Sequence, residues 1–273
     1  MLFIAAFVAV FLALWVVFFF VGPLLERVLA KSAHFTTKFR YRDYLPVFVV
    51  LTLGVVVALA AGDEFLDLAE SLRAESPVLQ RIDRDVHDWA IDTRTPVSTA
   101  FLTALTIIGT PLGIGILIAI AAAILAARRR WRWGAYLILT CGIGGILNLL
   151  LKSYFARARP DLAEALRDAH GYSFPSGHAM GSTIVFGAFA YLAFRILKTW
   201  RPRAAALAFC VSMILAICAS RIYLGVHWIS DIGAGIAAGL IWVGFATVAY
   251  ETFRRIRLVR ALRASREKAD TER

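Results

Sequence analysis

Seven stretches of this chain are apolar for about as long as a helix needs to cross a bilayer, and few folds accommodate that pattern. They run over about 1–22, 44–62, 98–127, 133–151, 178–197, 204–221 and 228–249. A hydrocarbon core of about 30 Å takes about 20 residues of α-helix. Within lipid the backbone must bond to itself, so each stretch is predicted to be helical. The expected fold is all-α, a polytopic transmembrane bundle of about seven spans. Residues 44–249 supply a six-helix core; residues 1–43 add an N-terminal span and a basic loop, and 250–273 form a basic tail. The third stretch exceeds one crossing, and Gly109-Thr110-Pro111-Leu112-Gly113 inside it predicts a kink. No soluble domain, low-complexity linker or internal repeat interrupts the pattern, and at 60% hydrophobic and 18% charged residues the chain is far from a soluble composition.

The net charge of +11 could point to nucleic acid, but its distribution reads as topology. Arg27, Lys31, Lys38, Arg40 and Arg42 fall in one connection, Arg128, Arg129, Arg130 and Arg132 in another, and Lys198, Arg201 and Arg203 in a third. The tail adds Arg254, Arg255, Arg257, Arg260, Arg263, Arg266 and Lys268. These segments alternate along the chain, so they share one side of the membrane, and the positive-inside rule makes that side cytoplasmic. The 63–97 connection is acidic by contrast. The N-terminus is therefore expected outside and the C-terminus inside, in a bacterial inner membrane. Residues 1–22 lack the basic residues that precede a signal-peptide core, so a retained span is expected. Cys141, Cys210 and Cys218 lie within predicted spans and read as packing thiols rather than a disulfide framework.

Three polar segments fall at the outer ends of spans: Lys152-Ser-Tyr-Phe-Ala-Arg-Ala-Arg159-Pro160, Pro175-Ser176-Gly177-His178, and Ser220-Arg221-Ile-Tyr-Leu-Gly-Val-His227-Trp-Ile-Ser-Asp231. Charge in so apolar a chain is costly to place and marks a site. Arg159 sits at a turn fixed by Pro160; arginine offers a planar fork to phosphate oxygens and lysine a point charge. Lys152 and Arg157 could also simply snorkel at the interface. Asn148, one turn before Lys152, could face the same interior or make a helix-packing hydrogen bond. Ser176 and Gly177 open a helix whose free N–H groups suit an anion, and His178 can donate a proton. His227 and Asp231 are four apart at a helix start, so the carboxylate can fix the imidazole tautomer. The three cations, two imidazoles and one carboxylate make an inventory for phosphoryl chemistry in which no metal or other cofactor is needed.

The combined pattern K-x6-R-P, P-S-G-H and S-R-x5-H-x3-D resembles the type 2 phosphatidic acid phosphatase superfamily, which shares its motifs with vanadium haloperoxidases. The resemblance covers roughly 44–249 and is complete at Lys152, Arg159, Pro160, Pro175, Ser176, Gly177, His178, Ser220, Arg221, His227 and Asp231. It implies that His227, oriented by Asp231, attacks phosphorus to form a phosphohistidine, and that His178 is the general acid. Lys152, Arg159, Ser176, Gly177 and Arg221 would hold the phosphoryl oxygens.

The expected function is a metal-independent phosphatase acting on a lipid phosphate or pyrophosphate at the outer face, without a nucleic-acid partner. Phosphatidate, phosphatidylglycerol phosphate and undecaprenyl pyrophosphate are candidates. A lipid phosphotransferase using the same phosphohistidine and a non-catalytic anionic-lipid binder or transporter are the alternatives. Oligomeric state is not readable.

Four further features receive plainer readings. His170 reads as an exposed loop residue. Val78, Leu79, Ile82, Val86 and Trp89 repeat at helical spacing, so 77–92 reads as an amphipathic interfacial helix. Its acids Asp83, Asp85 and Asp88 are expected on a solvated face rather than, with His87, on a metal. Gly235 and Gly239 suggest close helix packing. The tail reads as an amphipathic helix on the inner surface.

Overall fold

In the computed structural model, residues 45–160, 165–167 and 170–271 are described, so the expected span at 1–22 lies outside them. Every described element is helical. They are α1 Leu45–Arg73, α2 Pro77–Asp92, α3 Pro96–Ile108, α4 Pro111–Ala127, α5 Trp131–Phe155, α6 Gly177–Ile196, α7 Trp200–Tyr223 and α8 Ile229–Thr271. Four of these, α5 to α8, are long and apolar enough to cross a membrane, and α3 with α4 makes a fifth candidate if the bent pair is one span. The chain is a polytopic helical membrane protein. Along α4, Leu112, Ile116, Ile120 and Ile124 repeat every four residues and are all exposed, an apolar stripe suited to lipid.

Helix starts follow a repeated local code. Ser76, Thr95 and Thr110 each cap a helix whose next residue is proline, and each hydroxyl accepts the N–H three residues on. Proline at the first position loses no hydrogen bond, while the hydroxyl satisfies an otherwise orphaned donor. The cap at Thr110 turns the expected kink into a break, with α3 and α4 inclined by 56°.

At the centre, α6 packs between α7 and α8, and α1 lies along α8. Gly235 and Gly239 of α8 cross α6 where a Cβ would lie 2.8 Å from the Ser176 carbonyl oxygen and 2.7 Å from Thr183 Cβ. These glycines set how closely the two motif-bearing helices approach. Gly239→Val is expected to lower stability by about 1–3 kcal/mol through overpacking. Gly145→Val, at a position where a Cβ would meet nothing within 4 Å, is the control. Thermal unfolding in detergent micelles separates the two.

Three sequence expectations change. The 63–97 connection is mostly helix, because α1 continues to Arg73 before α2 begins. The tail is no separate surface helix: α8 runs unbroken through it to Thr271. Finally, α2 is amphipathic as expected, but Val78, Ile82 and Trp89 are exposed while Asp83, His87 and Ala90 are buried against the bundle. A helix at a membrane surface can turn its apolar face to lipid and its polar face to protein. The cysteines are free, with Cys210 and Cys218 buried.

Candidate active site

All three polar segments meet at one end of the bundle. The basic connections around 128–132 and 198–203 join the opposite ends of the same helices.

The end of α5 is set by Ala156, which adopts a left-handed conformation (φ 48°) and returns its N–H to the Lys152 carbonyl at 2.9 Å. The chain leaves the helix there, and Arg157 and Arg159, two apart, reach the same region around the start of α8. Lys152 Nζ donates to the Tyr172 carbonyl at 2.5 Å and more distantly to that of Ser173. Arg159 donates from Nε to Gly171 O at 3.0 Å, from Nη1 to Val226 O at 2.8 Å and from Nη2 to His170 O at 3.1 Å. Both cations thus gather the 170–173 segment over the site; His170 is exposed and contributes its carbonyl.

Ser176 caps α6 through its hydroxyl, which accepts the Ala179 N–H, and donates its own N–H to the Asp231 carbonyl at 3.0 Å. The starts of α6 and α8 are therefore tied. At Gly177 a Cβ would stand 3.0 Å from Asn148 Oδ1 and 3.7 Å from Lys152 Cε, so glycine allows α6 to begin against the end of α5. Asn148 itself is buried and directs its amide to Met180 Sδ at 3.4 Å. His178 lies beside the α3–α4 break, where a Cβ on Gly109 would come within 2.9 Å of its ring. Its Nε2 is buried and has no hydrogen-bond partner among the described residues.

Arg221, in the last turn of α7, is buried and donates Nη1 to Thr106 Oγ1 at 2.8 Å; its Nε has no partner among the described residues. His227 follows in the α7–α8 turn. Its Nδ1 lies 3.2 Å from Asp231 Oδ2, and its Nε2 lies 3.1 Å from Arg159 Nη1. A guanidinium only donates and a carboxylate accepts, so the proton belongs on Nδ1 and the lone pair on Nε2. Burial pushes the His227 imidazole down to about 4; Asp231 opposes this, while Arg159 and Arg221 reinforce it. Burial lowers the Arg159 guanidinium too, though it stays cationic.

Two side chains read otherwise from sequence join this centre. Arg157 does not snorkel: it is 13% exposed and donates Nη1 to Asp231 Oδ1 and Nη2 to Asp83 Oδ2, each at 2.7 Å. Asp83 is not on a solvated face but 2% exposed, and it also accepts the Ser230 N–H at 3.0 Å and the Ser230 hydroxyl at 2.7 Å. Alternating Ala-Arg-Ala-Arg was a clue for Arg157, since an extended segment places residues two apart on one side. Nothing in the local sequence of α2 marks Asp83. Ser173, Ser230 and Thr106, which bond to Asp231, Asp83 and Arg221, were also not singled out.

Residues 133–255 match the profile of the PAP2 superfamily. That segment is similar to the PAP2 superfamily. It spans every motif residue named above, from Lys152 to Asp231. Phosphatidylglycerophosphatase B of Bacillus subtilis is 29% identical over 181 residues, covering 65% of this chain and 86% of that protein. Lipid A 1-phosphatase of Rhizobium johnstonii is 36% identical over 123 residues, 42% of this chain and 46% of that protein. The crystal structure of a transmembrane PAP2-type phosphatidylglycerolphosphate phosphatase from B. subtilis superimposes with a TM-score of 0.67 at 27% identity, covering 71% of this chain and 96% of that one. The matched range contains the motif residues that the fold brings together here.

Proposed function

We propose that this protein is a lipid phosphatase whose nucleophile is His227 Nε2. The observation that carries the reading is the His227 geometry: Asp231 accepts the hydrogen bond of Nδ1–H and leaves the Nε2 lone pair among buried cations. Arg159 holds that lone pair in the resting site and transfers its donors to the phosphoryl oxygens as substrate enters. Lys152, Arg221, Ser176 and the Gly177 N–H complete the cradle, and Arg221 Nε is a buried donor suited to one oxygen. Preorganised donors of this kind stabilise the charge that is redistributed in the transition state.

In the first step the Nε2–P bond forms as the P–O bond to the lipid breaks, and His178 gives its proton to the departing oxygen. In the second, water attacks phosphorus, the N–P bond breaks, and His178 takes the water's proton. The motif end of the bundle faces the extracytoplasmic side of a bacterial inner membrane, as the basic opposite end supports. The relatives support a phosphorylated membrane lipid as substrate, with phosphatidylglycerol phosphate the first to test.

The test is phosphate release from phosphatidylglycerol phosphate, phosphatidate and undecaprenyl pyrophosphate in mixed micelles with chelator present. Release from at least one is expected, and its absence from folded protein contradicts the reading. The depressed His227 value gives a separate expectation. Its imidazole is neutral from pH 8 down to about 5 and gains a proton only near 4. In ¹⁵N-histidine spectra, the signal missing from His227→Asn should not titrate around 6.5.

A further inference from the structure

We infer that Asp83 and Arg157 position the Asp231–His227 pair for the reaction, so that α2 is part of the catalytic apparatus. This rests on the lipid phosphatase reading for its kinetic arm only. The Arg157 fork is shared between two carboxylates on different helices, Asp83 of α2 and Asp231 of α8, with both bonds at 2.7 Å. Asp231 has one oxygen for each duty. Oδ1 accepts Arg157, while Oδ2 accepts the Trp228 N–H at 3.0 Å and faces His227 Nδ1. On Oδ1 the Ser173 hydroxyl, at 3.5 Å, is a weaker hold than the Arg157 fork at 2.7 Å, so Arg157 is the strong restraint on that oxygen.

Asp83 works on the same pair from the backbone side. It accepts the Ser230 N–H, one of the donors that the first turn of α8 leaves unbonded, and the Ser230 hydroxyl. Ser230 lies between His227 and Asp231 in the chain, so this clamp sets the turn that gives the pair its spacing. The Ser230 hydroxyl also stands 2.7 Å from Arg157 Nη1, closing the ring of contacts. Two carboxylates and one guanidinium are buried here with their hydrogen bonds met. Removing Arg157 leaves two buried carboxylates without their cation, whereas removing Asp83 with it leaves one and keeps the net charge of the cluster unchanged. On its other face α2 exposes Val78, Ile82 and Trp89. One helix therefore joins the membrane surface to the carboxylate that orients His227.

Four variants separate positioning from bulk stability: Asp83→Asn, Arg157→Met, Arg157→Lys and the double Asp83→Asn/Arg157→Gln. Each is purified in micelles, its thermal midpoint measured, and its hydrolysis of phosphatidylglycerol phosphate followed. Folded variants should lose about 10- to 100-fold in kcat, since small misplacements of reacting groups cost that much, with KM changed less than about threefold. The second readout is the ¹⁵N-histidine titration of His227. The groups that face this imidazole are Asp231, Arg159, Arg221 and His178.

Loss of the Arg157 charge leaves the Asp231 carboxylate without that cation, so His227 feels more of its negative charge and the His227 midpoint rises in Arg157→Met. Arg157→Lys keeps the charge but not the fork, so kcat falls while the midpoint holds. If Arg157→Met does not fold, the double variant, which removes one charge of each sign, carries the kinetic test. Wild-type kcat in folded Arg157→Lys and in the double variant would overturn the inference, as would an unmoved His227 midpoint in folded Arg157→Met. Should the wild type hydrolyse none of the lipids, the phosphatase reading fails, and the midpoint shift still decides whether Arg157 acts on His227.

Discussion

His227→Ala is expected to lower phosphate release by about 10⁴-fold or more, with KM little changed, because it removes the proposed nucleophile. His227 is 2% exposed and contacts Arg159 and Asp231, so alanine also takes from Arg159 Nη1 one of its partners among the described residues, leaving the Val226 carbonyl. A circular dichroism spectrum and thermal midpoint near those of the wild type show that the loss is chemical. Retention of more than a tenth of the activity in folded protein is incompatible with a His227 nucleophile.

Asp231→Asn has the second largest expected effect, about 10³- to 10⁴-fold in kcat. All the groups around Asp231 are donors: Arg157 and the Ser173 hydroxyl on Oδ1, Trp228 N–H and His227 Nδ1–H on Oδ2. An amide has one accepting end. If its oxygen faces Arg157, its NH2 opposes the Trp228 N–H and turns His227 to the tautomer with the proton on Nε2. That proton then confronts the Arg159 donor, and the nucleophilic lone pair is lost. If the oxygen faces His227, the NH2 opposes the Arg157 guanidinium at a fully buried position. Either orientation costs the site its geometry. The kinetic loss should therefore come with a lower thermal midpoint, unlike that of His227→Ala.

The sequence made the bundle legible because lipid imposes one rule on every span, and the apolar runs obey it. Thr110-Pro111 marked the α3–α4 break for a local reason, a hydroxyl cap followed by a residue without an N–H. The three motif segments were legible as a site since their side chains are too polar for their surroundings. Asp83 was not, for a different physical reason. Periodicity assigns α2 two faces but does not say which one meets protein, and beside a membrane the polar face can be the inner one. Arg157 was read as an interfacial cation because its acidic partners lie 74 residues away along the chain in both directions. Contacts of that range leave no local pattern. The extension of α1 to Arg73 and of α8 to Thr271 was missed because polarity ends a span without ending a helix.

The proposed covalent intermediate most directly separates a phosphatase using His227 from a protein that only binds anionic lipid. Phosphatidylglycerol phosphate labelled in its terminal phosphate is mixed with enzyme, quenched in alkali within milliseconds, and the protein is digested and mapped. Label on the peptide containing His227, stable to base, released by acid and missing from His227→Ala, is the predicted result. Phosphate release by wild-type enzyme with no such label, or with label that survives acid on another residue, would contradict it.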